Sequence, residues 1–247
     1  MPQDTQPDTA PFALPDSLAA KSDPALIDTD REHFRAIGAS LEHAIAELEA
    51  NLAETRRTTA RHGTAALERD QEVHRLTARL RALRRYDLDL CLGRIVHADR
   101  EEPTYVGRFG LAAQDGRRLL VDWRSPAAEP FFAATHAHPQ GLVSRRRYRW
   151  TGGRIVDYWD EAFTEEALGH TAALDDQSAF LATLGGSRTR RMRDVLGTIQ
   201  ADQDAIVRAG STGALVVDGG PGTGKTVVAL HRTAYLLYSD PRLGHRR

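Results

Sequence analysis

Gly219-Gly220-Pro221-Gly222-Thr223-Gly224-Lys225-Thr226 is the stretch that decides how this chain is read. The octet fits G-x-x-x-x-G-K-[ST], a loop that cradles phosphate. Glycines at 219, 220, 222 and 224 let backbone N–H groups converge on anionic oxygens without Cβ clashes. Lys225 can reach the outer phosphates of a nucleotide, and Thr226 can offer its hydroxyl to Mg2+. Upstream, Ala214-Leu215-Val216-Val217-Asp218 reads as a short buried strand. Downstream, 227–237 reads as a helix whose N-terminus favours an anion. Strand, loop and helix in that order is the context this motif requires.

A second element lies ahead of the loop, Thr198-Ile199-Gln200-Ala201-Asp202-Gln203-Asp204-Ala205-Ile206. Alone it is an ordinary amphipathic helix start. At this distance from a phosphate loop it resembles the Q motif of superfamily 1 helicases. A glutamine there reads the adenine edge through its paired amide donor and acceptor, and the matching position is Gln203.

The rest of the chain gives this site its setting. A length of 247 residues is that of one or two domains. Hydrophobic residues at 41% and charged residues at 27% are ordinary for a globular protein and exclude a wholly disordered or collagen-like chain. No apolar run is long enough to span a membrane. The single cysteine, Cys91, excludes an internal disulfide framework and, without a signal peptide, favours a reducing cytoplasm. The net charge of −1 gives no global argument for nucleic acid. Lysine is almost absent: Lys21 and Lys225 are the two in the chain, so Lys225 stands out.

Residues 1–27 carry five of the eleven prolines and read as a flexible leader, in which Phe12-Ala13-Leu14 either docks elsewhere or packs on its own domain. Two long helices follow over 30–86. Phe34, Ile37, Leu41, Ile45, Leu48 and Leu52 form one apolar stripe, and Leu67, Val73, Leu76, Leu80 and Leu83 form another. The polar stretch around Gly63 turns one back on the other. The first helix is net −4 over 30–54 and the second net +3 over 67–86, which favours pairing with each other. A projecting antiparallel coiled coil over 28–90 is expected, with a hairpin packed flat on a core as the alternative.

Residues 91–186 read as a small antiparallel β module with a helical connector. Strands at 104–114 and 117–124 flank Asp115-Gly116, and strands at 143–150 and 154–159 flank Thr151-Gly152-Gly153. A fifth strand is expected at 92–96, a helical stretch at 164–184 and a basic linker at 185–193. The start of a P-loop domain, with the Q-like element and the phosphate loop, is expected over 187–247. The expected class is α+β leading into α/β.

The resemblance then becomes specific. Thr198-Ile199-Gln200-Ala201-Asp202-Gln203, the phosphate loop, Ala229-Leu230-His231-Arg232 and Ala234-Tyr235-Leu236-Leu237-Tyr238 resemble the HelD family. So do Tyr105-Val106-Gly107-Arg108-Phe109-Gly110 and Leu120-Val121-Asp122-Trp123-Arg124-Ser125-Pro126. These are UvrD-like superfamily 1 ATPases that act on RNA polymerase. The opening, Phe12-Ala13-Leu14-Pro15-Asp16, is similar to the actinobacterial HelR-type branch. The resemblance implies a RecA-like motor that binds ATP and Mg2+. It implies RNA polymerase core as partner, reached through the secondary channel by residues 30–86. It also implies recycling of stalled complexes, with rifamycin displacement in the HelR-type branch. The alternative from the same motifs is a UvrD-type DNA helicase or repair ATPase with no polymerase role.

The chain departs from that pattern in places. The Walker B acid and arginine fingers of such motors lie beyond the loop, and 21 residues follow Thr226. The chain is therefore expected to be the N-terminal portion of a longer motor, not to hydrolyse ATP by itself, and to expose apolar surface around Val216, Val217 and Leu230. Asp122 and Asp157 follow apolar residues but precede the loop, which argues against a Walker B role. The hairpin tip offers Arg56, Arg57, Arg61 and His62 rather than acids, so it suits an acidic surface or phosphate, not a metal. Arg145-Arg146-Arg147-Tyr148-Arg149-Trp150 is either an edge strand kept soluble by charge or a DNA contact. The histidines show no metal-ligand spacing, and His136 and His138 read as solvent-facing.

Overall fold

The computed structural model describes residues 11–58, 64–164 and 199–240. The expected helical stretch at 164–184, the basic linker at 185–193, and Arg61 and His62 of the hairpin tip lie outside the described residues, save Thr164. The chain forms two compact units. The first takes in the described residues up to Leu90, Leu111–Leu119 and Trp150–Val156. The second takes in Cys91–Gly110, Leu120–Arg149 and the described residues from Asp157 onward.

In the first unit, helix α1 spans Pro24–Arg57 and helix α2 spans Thr64–Arg84. Helix α1 starts earlier than the apolar stripe suggests. Asp23 is its N-cap, accepting from the Ala25 N–H at 2.9 Å, and Pro24 supplies the fixed φ suited to a first helical position. Ile27, Phe34, Ile37, Leu41, Leu48 and Leu52 of α1 are buried, as are Leu76, Leu80 and Leu83 of α2. Each such side chain contributes about 1.5–3 kcal/mol by leaving water. Leu67 breaks the expected stripe and is exposed. The helices run antiparallel: Arg84 pairs with Glu49, and at the other end the Arg69 guanidinium donates to the Thr58 carbonyl at 3.5 Å.

The expected leader is structured where it is described. Asp16–Ser22 is a 3-10 helix. Phe12 is buried and sits edge-on to Phe34, with centroids 6.2 Å apart. Its neighbours pair with a strand: the Ala13 N–H donates to the Ile155 carbonyl at 2.8 Å, and the Ile155 N–H donates to the Pro11 carbonyl at 2.7 Å. Phe12 thus packs on its own domain rather than serving as an external anchor. Its apolar ring finds a partner in Phe34 before it finds water.

Six strands follow: β1 Cys91–His97, β2 Thr104–Gly107, β3 Leu111–Ala112, β4 Arg118–Asp122, β5 Leu142–Thr151 and β6 Arg154–Ala162. Their order is β3-β4-β2-β1-β5-β6. The expected antiparallel module is instead a mixed sheet, because β2 pairs with β4 in parallel, Val106 opposite Val121. The expected single strand over 104–114 is broken at Gly107. A Cβ there would lie 3.1 Å from both Leu120 Cδ1 and the Phe109 carbonyl. The break lets the chain cross to the far side of β4 before turning at Asp115-Gly116. The second hairpin turns at Gly152 and Gly153, both at positive φ (58° and 78°), as a tight primed turn demands.

In the second unit, a short helix α3, Glu129–Ala133, follows β4. Helices α4, Ala201–Arg208, and α5, Lys225–Ser239, share its core. Val207 and Val228 join Val106, Val121, Trp123, Phe131 and Phe132 in one cluster of buried side chains. The expected strand over 214–218 does not form. A strand needs a ladder partner, and among the described residues the sheet supplies none there. Val216 is 87% and Leu215 47% exposed. Leu230 is exposed too, while Val217, expected to be exposed with it, is half-buried.

Candidate phosphate-binding site

The loop after Asp218 folds on itself. Gly222 and Gly224 take φ values of 81° and 85°, which a side chain resists. A Cβ at Gly219 would stand 2.8 Å from Thr223 Oγ1. That hydroxyl donates to the Gly220 carbonyl at 2.9 Å, and the Gly219 N–H donates to Asp218 Oδ1 at 2.7 Å. Gly224 is the N-cap of α5, so Lys225 and Thr226 open that helix, both exposed. Lys225 bends back over the loop, its ammonium donating to the carbonyls of Gly219 at 2.6 Å and Gly220 at 2.8 Å. These residues fit a phosphate group: a compact turn with open space beside Gly222, one ammonium, one hydroxyl and the positive end of a helix dipole.

Gln203 is brought to the same loop. It is the third residue of α4 and closes a capping box with Gln200, the Gln200 N–H donating to its Oε1 at 3.3 Å. Its Nε2 donates to the Thr223 carbonyl at 3.4 Å. Both halves of the amide are thus occupied, one by its own helix and one by the loop.

The residues that hold α4 and α5 escaped the sequence reading. Arg208, the last residue of α4, donates from Nε to both oxygens of buried Asp204 at 3.0 Å. Its Nη2 donates to the Trp123 carbonyl at 2.8 Å. Burial pushes the Asp204 carboxyl above its usual value, the charge of Arg208 opposing. Arg232 of α5 donates to the carbonyls of Ile206 at 3.0 Å, Ala209 at 2.5 Å and Gly210 at 2.8 Å, capping the end of α4. The i, i+4 spacing of Asp204 and Arg208 was the available signal, and it reads as an ordinary surface pair until its burial is seen.

The arginine-rich run is drawn into the sheet. It lies in β5, between β1 and β6, and is therefore not an edge strand. Arg146 is buried and forms a fork with Asp160, Nε to Oδ1 at 2.6 Å and Nη2 to Oδ2 at 2.7 Å. Arg145 is buried, pairs with Glu161 and donates to the Phe131 carbonyl at 2.8 Å. Arg149 stands 3.7 Å from Asp157. Burial raises the Glu161 carboxyl, but the bond from Arg145 and the charges of Arg145, Arg147 and His136 together hold it below its usual value. Arg145 and Arg146 are paired with carboxylates of β6, so the charged-edge alternative gives way to internal pairing at these two positions.

The other acids are likewise engaged. Asp122 accepts a fork from Arg124, at 2.9 and 2.6 Å, and Asp157 caps the Tyr158 N–H at 2.8 Å. His136 and His138 are exposed, and no group of histidine, cysteine and acidic side chains among the described residues could hold a metal ion. No helix among them is long and apolar enough to cross a membrane.

A long antiparallel helix pair, a mixed six-stranded sheet and a glycine-rich loop opening a helix define an α+β chain. Residues 27–177 match the family model "DNA helicase IV HelD, N-terminal domain", and the chain belongs to that family. No curated protein matches the chain. The match covers the helical hairpin and the sheet. The glycine-rich loop at 219–226 lies beyond it.

Proposed function

We propose that the chain is the N-terminal part of an ATP-dependent HelD-type motor that binds RNA polymerase core and recycles stalled complexes. The observation that carries the proposal is the conjunction in one chain of the HelD N-terminal domain over 27–177 with the loop of Gly219, Gly220, Pro221, Gly222, Thr223, Gly224, Lys225 and Thr226. The loop opens a RecA-like motor domain and holds ATP: backbone amides and Lys225 neutralise phosphate charge, Thr226 ligates Mg2+, and Gln203 reads adenine once released from Thr223. Bound Mg2+ would supply further charge neutralisation at the phosphates. The helical hairpin acts as a coiled-coil prong for the polymerase secondary channel. Arg56 and Arg57, exposed in the last turn of α1, offer positive charge near its tip. A cytoplasmic location and rifamycin displacement follow from the same reading.

The family description itself names a DNA helicase, and that favours a second reading, a UvrD-type repair ATPase without a polymerase role. One experiment separates them. The full chain is immobilised and offered RNA polymerase core or single-stranded DNA in the same buffer. Polymerase retained by the wild-type chain and lost on Arg56→Glu/Arg57→Glu supports the recycling reading. DNA retained without polymerase supports the second. Binding of a fluorescent ATP analogue, reduced at least about tenfold by Lys225→Ala, tests the loop in either case, since a lost charge-assisted contact is worth roughly 1.5–3 kcal/mol. Unchanged affinity would overturn nucleotide binding at this loop.

A further inference from the structure

The two ends of α4 touch different things. Its first turn meets the phosphate loop through Gln203 and the Thr223 carbonyl. Its last residue, Arg208, reaches the carbonyls of three successive residues: Trp123 at 2.8 Å, Ser125 at 3.4 Å and Arg124 at 3.5 Å. These residues leave β4 for a turn, so their carbonyls need partners outside the ladder. One guanidinium supplies them while its Nε stays on Asp204.

The same segment is gripped from α5. The His231 ring stands edge-on to Trp123, centroids 5.3 Å apart, and Arg124 lies over the Tyr238 ring at 4.6 Å. His231 Nε2 is buried with no hydrogen-bond partner, so this contact is one of packing. Helices α4 and α5 are tied to each other by Arg232. Residues 123–125 therefore feel both helices that bound the phosphate loop.

The loop's ties to the helices are ones a nucleotide competes for. Lys225 is bonded to the Gly219 and Gly220 carbonyls and Gln203 to the Thr223 carbonyl. A phosphate group competes for the ammonium, and an adenine competes for the amide. Each exchange releases a tie between the loop and the first turn of α4 or α5.

We propose that Arg208 is a positioning residue that couples occupancy of the phosphate loop to residues 123–125 at the end of β4. This rests on the nucleotide-binding reading above. Arg208 holds the segment to α4 whether or not the loop is occupied, so a displacement of α4 is passed to β4. Lysine could keep the charge opposite Asp204 but could not bridge to three carbonyls, because it lacks the planar fork.

The test uses the full chain. Affinity for a fluorescent ATP analogue with Mg2+ is measured beside hydrogen exchange of residues 120–128, with and without ATP. In the wild type, ATP is expected to change exchange in 120–128 several-fold. In Arg208→Lys, the analogue should bind with nearly unchanged affinity while the ATP-dependent change in 120–128 falls to less than half. Tyr238→Leu, at an exposed position, should reduce the same response if Arg208→Lys does not fold. A full response in both variants overturns the proposal, as does a wild type that binds ATP without any response in 120–128. A wild type that binds no ATP removes the nucleotide reading, and this proposal falls with it.

Discussion

One contrast in this chain runs opposite to hydropathy. In β5, Arg145 and Arg146 are 5% and 2% exposed, whereas Leu215 and Val216 ahead of the glycine-rich loop are 47% and 87% exposed. The difference lies in partners. Arg145 and Arg146 stand opposite Glu161 and Asp160 on the neighbouring strand, which neutralise and hydrogen-bond them. Leu215 and Val216 have no ladder among the described residues. Burial is thus decided by what the fold places opposite a residue, and charge is tolerated inside when every donor has an acceptor.

The sharpest way to break this contrast is to remove one partner. Arg146→Ala leaves Asp160 buried and uncompensated, and is expected to cost about 3–5 kcal/mol in urea denaturation. Replacing both, as Arg146→Leu with Asp160→Leu, should recover most of that loss. If the single change costs under about 1 kcal/mol, the pair is not buried in solution and the comparison collapses.

Next in size is the backbone beneath the pair. A Cβ at Gly93 would sit 2.2 Å from the Arg146 carbonyl and 2.6 Å from Phe131 Cε2. Gly93→Ala is expected to cost ~1–3 kcal/mol or more, because neither a ladder carbonyl nor a core ring can easily move. A neutral Gly93→Ala would show that β1 and β5 approach less closely than the geometry requires.

Acid probes both units with one sign. Burial lowers His231, with the charge of Arg108 adding to it. Burial also lowers His33, outweighing its bond to the Leu119 carbonyl at 2.8 Å and the charge of Asp30. Both are neutral in the fold and bind a proton more readily when unfolded. Their contribution is therefore present above the unfolded value near 6.5 and declines as pH falls below it. Melting temperature should drop between about pH 7 and pH 5. His231→Phe, which keeps a ring against Trp123, should flatten part of that slope, and an unchanged slope would argue against the buried His231.

The smallest stability effect belongs to the exposed run. Val216→Asp should alter unfolding free energy by no more than about 0.5 kcal/mol while lowering self-association in light scattering. A loss above about 1 kcal/mol would mean that 214–218 packs against something in solution, which would narrow the contrast with β5.

Several features were legible without coordinates because their causes are local. The turns at Asp115-Gly116 and Thr151-Gly152-Gly153 follow from backbone freedom, and the long helices follow from apolar spacing. The loop at 219–226 follows from four glycines and a Lys-Thr pair. The parallel pairing of β2 with β4 was not legible, nor was the grip of Arg208 on 123–125. Each depends on residues more than ten positions apart, and no periodicity reports a non-local partner.

The amino-acid sequence by itself determined the turns at Asp115-Gly116 and Gly152-Gly153 and the compact glycine-rich turn at 219–226, since these rest on φ limits and neighbouring side chains. Only the tertiary structure decided that Arg145 and Arg146 are internal, that Leu215 and Val216 are not, and that Phe12 pairs inward with Phe34 and Ile155. Those outcomes turn on desolvation offset by a specific partner, and the partner is chosen by the fold.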